Sequence, residues 1–153
     1  MKITIITICN KNNKLFEEIT NRYSNLISKK YNLNFINIGF KTTKNKKNLY
    51  VEEYKKALSY VDRNSILIAL DENGLKLSSL QFAEKMKNWN ETSANIFFII
   101  GGPDGLTEHV TDKANAVISL SKMTFPHHLL KVILTEQIYR AMCIISNHPY
   151  HRQ

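Results

Sequence analysis

Residues 96–106, "IFFIIGGPDGL", decide the fold. Five apolar side chains in a row, Ile96 to Ile100, leave no polar position for the solvent face of an amphipathic helix. They also lack the alternation of a one-sided strand. A run this short and this apolar is a strand covered on both faces, the mark of a parallel sheet between helices. It stops at two glycines, a proline, an aspartate and a third glycine. The spacing predicts a tight turn with Pro103 at its second position and Gly105 at its end. Gly101 and Gly102 carry no Cβ, so the backbone there can be approached closely, by a ligand or by the chain itself.

Working outward, "SILIAL" at residues 65–70 has the same two-sided character and ends at Asp71. Residues 2–9, 33–38 and 116–120 complete five expected strands. Between them apolar residues recur at helical spacing. Leu15, Phe16, Ile19, Tyr23, Leu26 and Ile27 mark one helix, and Tyr50, Val51, Tyr54, Ala57, Leu58 and Val61 a second. Phe82, Ala83, Met86 and Trp89 mark a third, with Ser78 or Ser79 as its cap. A short helix follows Leu106, and a long one spans residues 127–146. Strands alternating with helices predict one α/β domain around a mostly parallel sheet, spanning residues 1–153, without repeats or linkers.

Composition narrows the partners. The 153 residues are 43% hydrophobic, which supports a sizeable core. No apolar stretch approaches the roughly 20 residues needed to span a bilayer, so no membrane association is expected. The first residues lack a small-residue cleavage site and read as a strand, not a signal peptide. Cys9 and Cys143 are far apart and belong to no CxxC pair, which suits a reducing cytoplasm and gives no metal site. Twenty-one basic residues against 13 acidic give a net charge of +8, which favours a polyanionic partner, nucleic acid above all. Lys41, Lys44, Lys46 and Lys47 form a basic run that is either a solvated loop or a phosphate-contacting arm.

In open α/β sheets ligands bind beyond the carboxyl ends of the strands. Three such ends stand out: "LDENG" after the third strand, "GGPDG" after the fourth, and "SLSKMTFPH" after the fifth. The first strand ends in "CNKNNK", without the glycines of a dinucleotide site, and no Lys-Ser or Lys-Thr follows GGPDG as a P-loop would require. In the third of these ends, Ser121 or Thr124 caps the last helix or turns main-chain groups toward a ligand. The terminal "NHPYHRQ" gathers His148, Tyr150, His151 and Arg152, either a frayed end or a set of RNA contacts. His148 and His151 have no acidic or thiol companion for a metal.

"FFIIGGPDGL", "SLSKMTFPH", "EQIYRA" and "NHPYHR", in this order and spacing, resemble the RlmH (YbeA) family of ribosomal large-subunit methyltransferases, within the SPOUT class of knotted methyltransferases. The resemblance covers essentially the whole chain. It implies an α/β domain with a C-terminal deep trefoil knot, a homodimer, and S-adenosyl-L-methionine as cofactor. The implied reaction is methylation of N3 of pseudouridine1915 in 23S rRNA on the assembled ribosome. It also implies that Leu70, Gly102, Leu120, Ser121, Lys122, Met123, Thr124 and Phe125 enclose the cofactor. His148 or His151 is then the candidate proton acceptor, with Arg152 and Arg140 holding phosphate or stabilising the deprotonated imide. Departures are few. Asp104 stands for a frequent glutamate, and Lys131 for a frequent arginine, which loses bidentate phosphate geometry. A non-catalytic RNA- or ribosome-binding module and a knotted methyltransferase acting on tRNA are the competing readings.

Overall fold

The computed structural model describes residues 1–10, 13–27, 31–41, 51–92 and 95–152. Tyr50, and Lys44, Lys46 and Lys47 of the basic run, lie outside the described residues. Elements follow in the order β1 (Lys2–Ile8), α1 (Lys14–Ile27), β2 (Asn32–Ile38), α2 (Val51–Ser59), β3 (Ile66–Lys76), α3 (Ser79–Thr92), β4 (Asn95–Ile100), α4 (Glu108–Thr111), β5 (Ala116–Ser119) and α5 (His127–Ile145). The five strands form one sheet in the order β2-β1-β4-β3-β5, and every pairing is parallel.

The two-sided strands divide their side chains between two cores. Ile96, Phe98 and Ile100 of β4 join Ile68 and Leu70 of β3 and Ile3 and Ile5 of β1 on one face. There they meet Ile27 of α1, Phe82, Ala83 and Met86 of α3, and Leu134, Ile138, Ala141 and Met142 of α5. Phe97 and Ile99 turn the other way with Leu67, Ala69, Ile6 and Ile8, against Tyr54 and Ala57 of α2 and Val110 of α4. The period of two thus explains why residues 66–70 of β3 and 96–100 of β4 carry no polar side chain: neither face meets water. Phe98 and Ile99 are both fully buried, and each such side chain contributes roughly 1.5–3 kcal/mol of burial. Helix α5 packs against both α1 and α3, which is why it is apolar over more than one face.

The helix ends follow local chemistry. Ser78 caps α3 in a reciprocal box: the Gln81 N–H donates to Ser78 Oγ at 3.2 Å, and the Ser78 N–H to Gln81 Oε1 at 2.8 Å. Helix α5 ends in a Schellman turn with Asn147 at φ 53°. His148 N–H donates to the Cys143 carbonyl at 2.8 Å, and Asn147 N–H to that of Ile144 at 3.1 Å.

One feature departs from the expected pattern. The third strand does not end at Asp71. It leaves the ladder after Leu70, paired with Ile118, and returns at Leu75, paired with Ile118 again, followed by Lys76 with Ser119. Asp71 to Gly74 are looped out, because their polar sequence suits a turn and only the resumed ladder makes the segment a strand. Gly74 makes the return possible. A Cβ built there would lie 2.6–2.8 Å from the Ile118 backbone, with no flexible atom to yield. Gly74→Ala is therefore expected to push β3 and β5 apart and lower stability by about 2 kcal/mol, measured by urea denaturation; an unchanged midpoint would show that the contact is dispensable.

Candidate functional site

The turn after β4 is built on itself. The Gly105 N–H donates to the Gly102 carbonyl at 3.0 Å, with Pro103 and Asp104 between them. Gly105 adopts φ 78°, a left-handed conformation that glycine takes without a steric penalty. The space before the missing Cβ of Gly101 is filled by the chain: a Cβ there would sit 2.7 Å from the Gly105 carbonyl carbon. Gly101 thus serves closure of the turn, while the buried Gly102 faces the cavity described next. Tyr54 of α2 donates from its hydroxyl to the Gly105 carbonyl at 2.6 Å and anchors the turn from below. Sequence reasoning read Tyr54 only as an apolar helix position.

A cavity of about 850 Å³ opens beyond the carboxyl ends of β3, β4 and β5. Its walls are the looped-out segment after Leu70, the glycine turn, and the loop from β5 into α5. Seven expected cofactor positions line it: Leu70, Gly102, Leu120, Ser121, Met123, Thr124 and Phe125. Lys122 does not; it is exposed beside the cavity.

The β5–α5 loop holds its shape through short-range bonds. Ser119 Oγ donates to the Ser121 carbonyl at 2.7 Å, and the Met123 N–H donates to Ser121 Oγ at 2.8 Å. Thr124 Oγ1 reaches across to Glu72 Oε2 at 3.5 Å, joining two walls of the cavity. Neither Ser121 nor Thr124 caps α5, whose N-cap is Pro126 without a side-chain bond.

The electrostatics of the cavity oppose those of the chain. Asp71, Glu72 and Asp104 line it, and among the described residues no lysine or arginine does. His127 is the one basic side chain among the described lining residues, and burial, then the neighbouring His128, pushes its pKa below the ordinary imidazole value. At neutral pH the lining is acidic in a protein whose net charge is +8. It suits a cation and repels phosphate.

The terminal tail is ordered, but against another part of the molecule. Glu136 of α5 gathers it. Its Oε1 accepts from Arg140 Nε at 3.0 Å, from Arg140 Nη2 at 2.5 Å, and from the Tyr150 hydroxyl at 3.0 Å. The Arg140 guanidinium lies 4.9 Å from the Tyr150 ring centre, and Tyr150 meets Tyr139 edge-on at 4.7 Å. Burial, then hydrogen bonds with Tyr23 and Glu136, hold the Tyr150 hydroxyl well above the usual phenol range, so it stays a neutral donor.

Both tail histidines have Nδ1 engaged. Arg140 Nη1 lies 3.2 Å from Nδ1 of His151, and since arginine only donates, that nitrogen accepts. The Tyr150 N–H donates to Nδ1 of His148 at 3.2 Å. Each neutral ring therefore carries its proton on Nε2 and offers a donor there. Arg152 is exposed. Arg140 lies 13 residues beyond His127, about 20 Å along the axis of α5, so one chain does not bring its tail and its cavity together.

Both cysteines are buried and unpaired, and no group of three metal-binding side chains occurs among the described residues. No helix among these residues is long and apolar enough to cross a membrane.

Residues 1–151 match the family described as "Predicted SPOUT methyltransferase". The chain is 39% identical over 155 aligned positions to ribosomal RNA large subunit methyltransferase H of Francisella tularensis subsp. novicida, covering 99% of this chain and 100% of that protein. It is 35% identical to the protein of the same name from Methylobacillus flagellatus, with both chains fully covered. Among solved structures, a probable methylase family protein from Haemophilus influenzae Rd KW20 superposes with a TM-score of 0.61. That match covers 99% of this chain and 70% of the other at 12% identity, a likeness of fold alone. With a parallel sheet, a cavity at its carboxyl edge and a family match along nearly its whole length, the chain belongs to the SPOUT methyltransferases.

Proposed function

We propose that this protein is a cytoplasmic methyltransferase that uses S-adenosyl-L-methionine to methylate N3 of pseudouridine1915 in 23S rRNA on the assembled ribosome. The observation that carries the reading is the cavity. It has room for a nucleoside-sized ligand, sits where α/β sheets bind ligands, and carries Asp71, Glu72 and Asp104 in its walls. The names of the relatives from Francisella and Methylobacillus supply the rRNA substrate. Bound, the cofactor supplies a methyl group: the bond from sulfur to methyl breaks with its electron pair left on sulfur, the acceptor nitrogen forms the new bond, and the acceptor's proton passes to water.

The chain's residues do the rest. Gly102, Leu70 and the main chain of Leu120, Ser121, Met123, Thr124 and Phe125 would hold the adenosine part. Asp71, Glu72 and Asp104 face the cationic part. His148 and His151 act through Nε2–H as donors that position the base, because their Nδ1 atoms already accept. Of the two roles expected from sequence, substrate positioning and proton acceptance, this reading takes the first. Arg140 and Arg152 hold phosphate or the deprotonated imide, away from the acidic cavity.

Since tail and cavity lie apart in one chain, the working site needs two chains, with the tail of one over the cavity of the other. The half-buried Leu129 and Ile133 on α5 and the exposed Met123 give such a dimer apolar surface. The trefoil threading expected for the class belongs to the same proposal, supported by the family match over residues 1–151.

Calorimetry is expected to show S-adenosylmethionine binding to the wild-type protein, and mass mapping of 23S rRNA from a deletion strain to show loss of one methylpseudouridine. Absent binding would favour a non-catalytic RNA-binding module, and an unmodified tRNA would move the substrate. His148→Ala, His151→Ala and Arg152→Ala should each lower turnover at least about tenfold while leaving cofactor affinity within about twofold. An equimolar mixture of Arg152→Ala with the cavity-filling Ser121→Trp should recover about one quarter of wild-type activity, since half the dimers are mixed and one of their two sites is intact. No recovery would place tail and cavity of a site on the same chain.

A further inference from the structure

The glycine turn makes one whole wall of the cavity, since residues 101–106 all line it. Gly101, Gly102 and Gly105 give this stretch many backbone states, so a single shape in the free protein has to be imposed by contacts. We infer that Tyr54 is a positioning residue for the methyl donor: its hydroxyl, acting from behind the wall on the Gly105 carbonyl, holds the turn in the form that accepts S-adenosylmethionine. This rests on the cofactor reading above and adds a residue outside the lining that sets the affinity of the site.

Three contacts converge on Gly105. Its N–H donates to the Gly102 carbonyl at 3.0 Å and closes the turn. Its carbonyl carbon and oxygen lie 2.7 and 2.9 Å from where a Cβ of Gly101 would stand. The same oxygen accepts the Tyr54 hydroxyl at 2.6 Å. The first two contacts lie within the turn and move with it. The third comes from α2, where Tyr54 packs in one core cluster with Ile6, Ile8, Leu67, Phe97 and Ile99. Of the three, it is the one that fixes the turn against the body of the sheet.

The hydroxyl serves the turn more than the core. Tyr54 is 1% exposed among apolar side chains, and phenylalanine would fill the same space with no polar atom to desolvate. Gly105 is exposed, so water would replace the phenol at its carbonyl, and the bond adds little to global stability. Its main effect is to restrict the turn. A ligand that fits one form of a wall binds in proportion to the fraction of free protein already in that form. One neutral hydrogen bond shifts such an equilibrium by about fivefold.

The test is calorimetry with S-adenosylmethionine on the wild-type protein, Tyr54→Phe and Ile6→Val, with the urea midpoint of each and amide hydrogen exchange at Gly105. Ile6 is fully buried in the same cluster, so its truncation lowers stability without removing a bond to the turn. Tyr54→Phe is expected to bind about fivefold more weakly and to exchange the Gly105 amide faster by a similar factor. Ile6→Val should bind within about twofold of wild type. Unchanged affinity in Tyr54→Phe would overturn the inference, because phenylalanine keeps the packing and removes only the hydroxyl. So would an equal loss in Ile6→Val, which would make the effect one of stability alone. A wild-type Gly105 amide that exchanges as freely as an open loop would overturn it whether or not the variants fold. If the wild-type protein binds no S-adenosylmethionine, the cofactor reading fails and takes this inference with it, a result distinct from unchanged affinity.

Discussion

Ile118 is used twice. Leu70 pairs with it, four residues loop away, and Leu75 pairs with it again. The return is possible because Gly74 presents no side chain where its Cβ would fall within 2.8 Å of the Ile118 Cα and nitrogen. Much of the site depends on that contact. The detour carries Asp71 and Glu72 out to form one wall of the cavity, and Glu72 meets Thr124 on the wall opposite. A second glycine contact, Gly101 against Gly105, shapes the third wall, and Tyr54 ties it to the helix beneath. The cavity is therefore held open by two close backbone approaches and one buried hydroxyl, on a sheet whose central strands are sealed on both faces. Rigid walls of this kind cost little ordering entropy when a ligand arrives.

How much of this was legible in the sequence depends on the range of the interaction. Residues 96–100 announced themselves as a two-sided strand, and β4 covers them because burial on both faces leaves a continuous apolar run. Helix α3 was legible to its cap, since Ser78 and Gln81 interact three residues apart. The continuation of β3 to Lys76 was not: Asp-Glu-Asn-Gly spells a turn locally, and what restores the strand is pairing with a residue more than forty positions away. The strand order was equally hidden, because each strand is apolar enough to occupy the centre. Of the site, the loops were legible as strand ends. The acidity of the cavity was not, since Asp71 and Glu72 stand about thirty residues from Asp104 in the chain and meet it only in space. The tail was read as either frayed or functional. Its order comes from Glu136, which sequence reasoning quoted in "EQIYRA" without a role.

The chain separates two electrostatic tasks that would conflict in one place. A cationic donor is best held among carboxylates, whereas an RNA backbone is repelled by them. Here the carboxylates sit at the carboxyl edge of the sheet, and Arg140, His151 and Arg152 lie near the far end of α5. Helix α5 spans the two regions, with His127 and Leu130 lining the cavity and Glu136 and Arg140 holding the tail. Its length sets how far the charges stay apart, and its packing against α1 and α3 keeps that distance fixed. Within a single chain the separation would defeat catalysis, because the methyl donor and the groups that position the acceptor must meet within a few ångströms. The proposed two-fold pairing would resolve the conflict: each region keeps its own charge within a subunit, and opposite ends would meet only across the interface. The Schellman turn at Asn147 fixes the angle at which the tail leaves its own helix, so the proposed dimer would inherit its geometry from a local backbone motif.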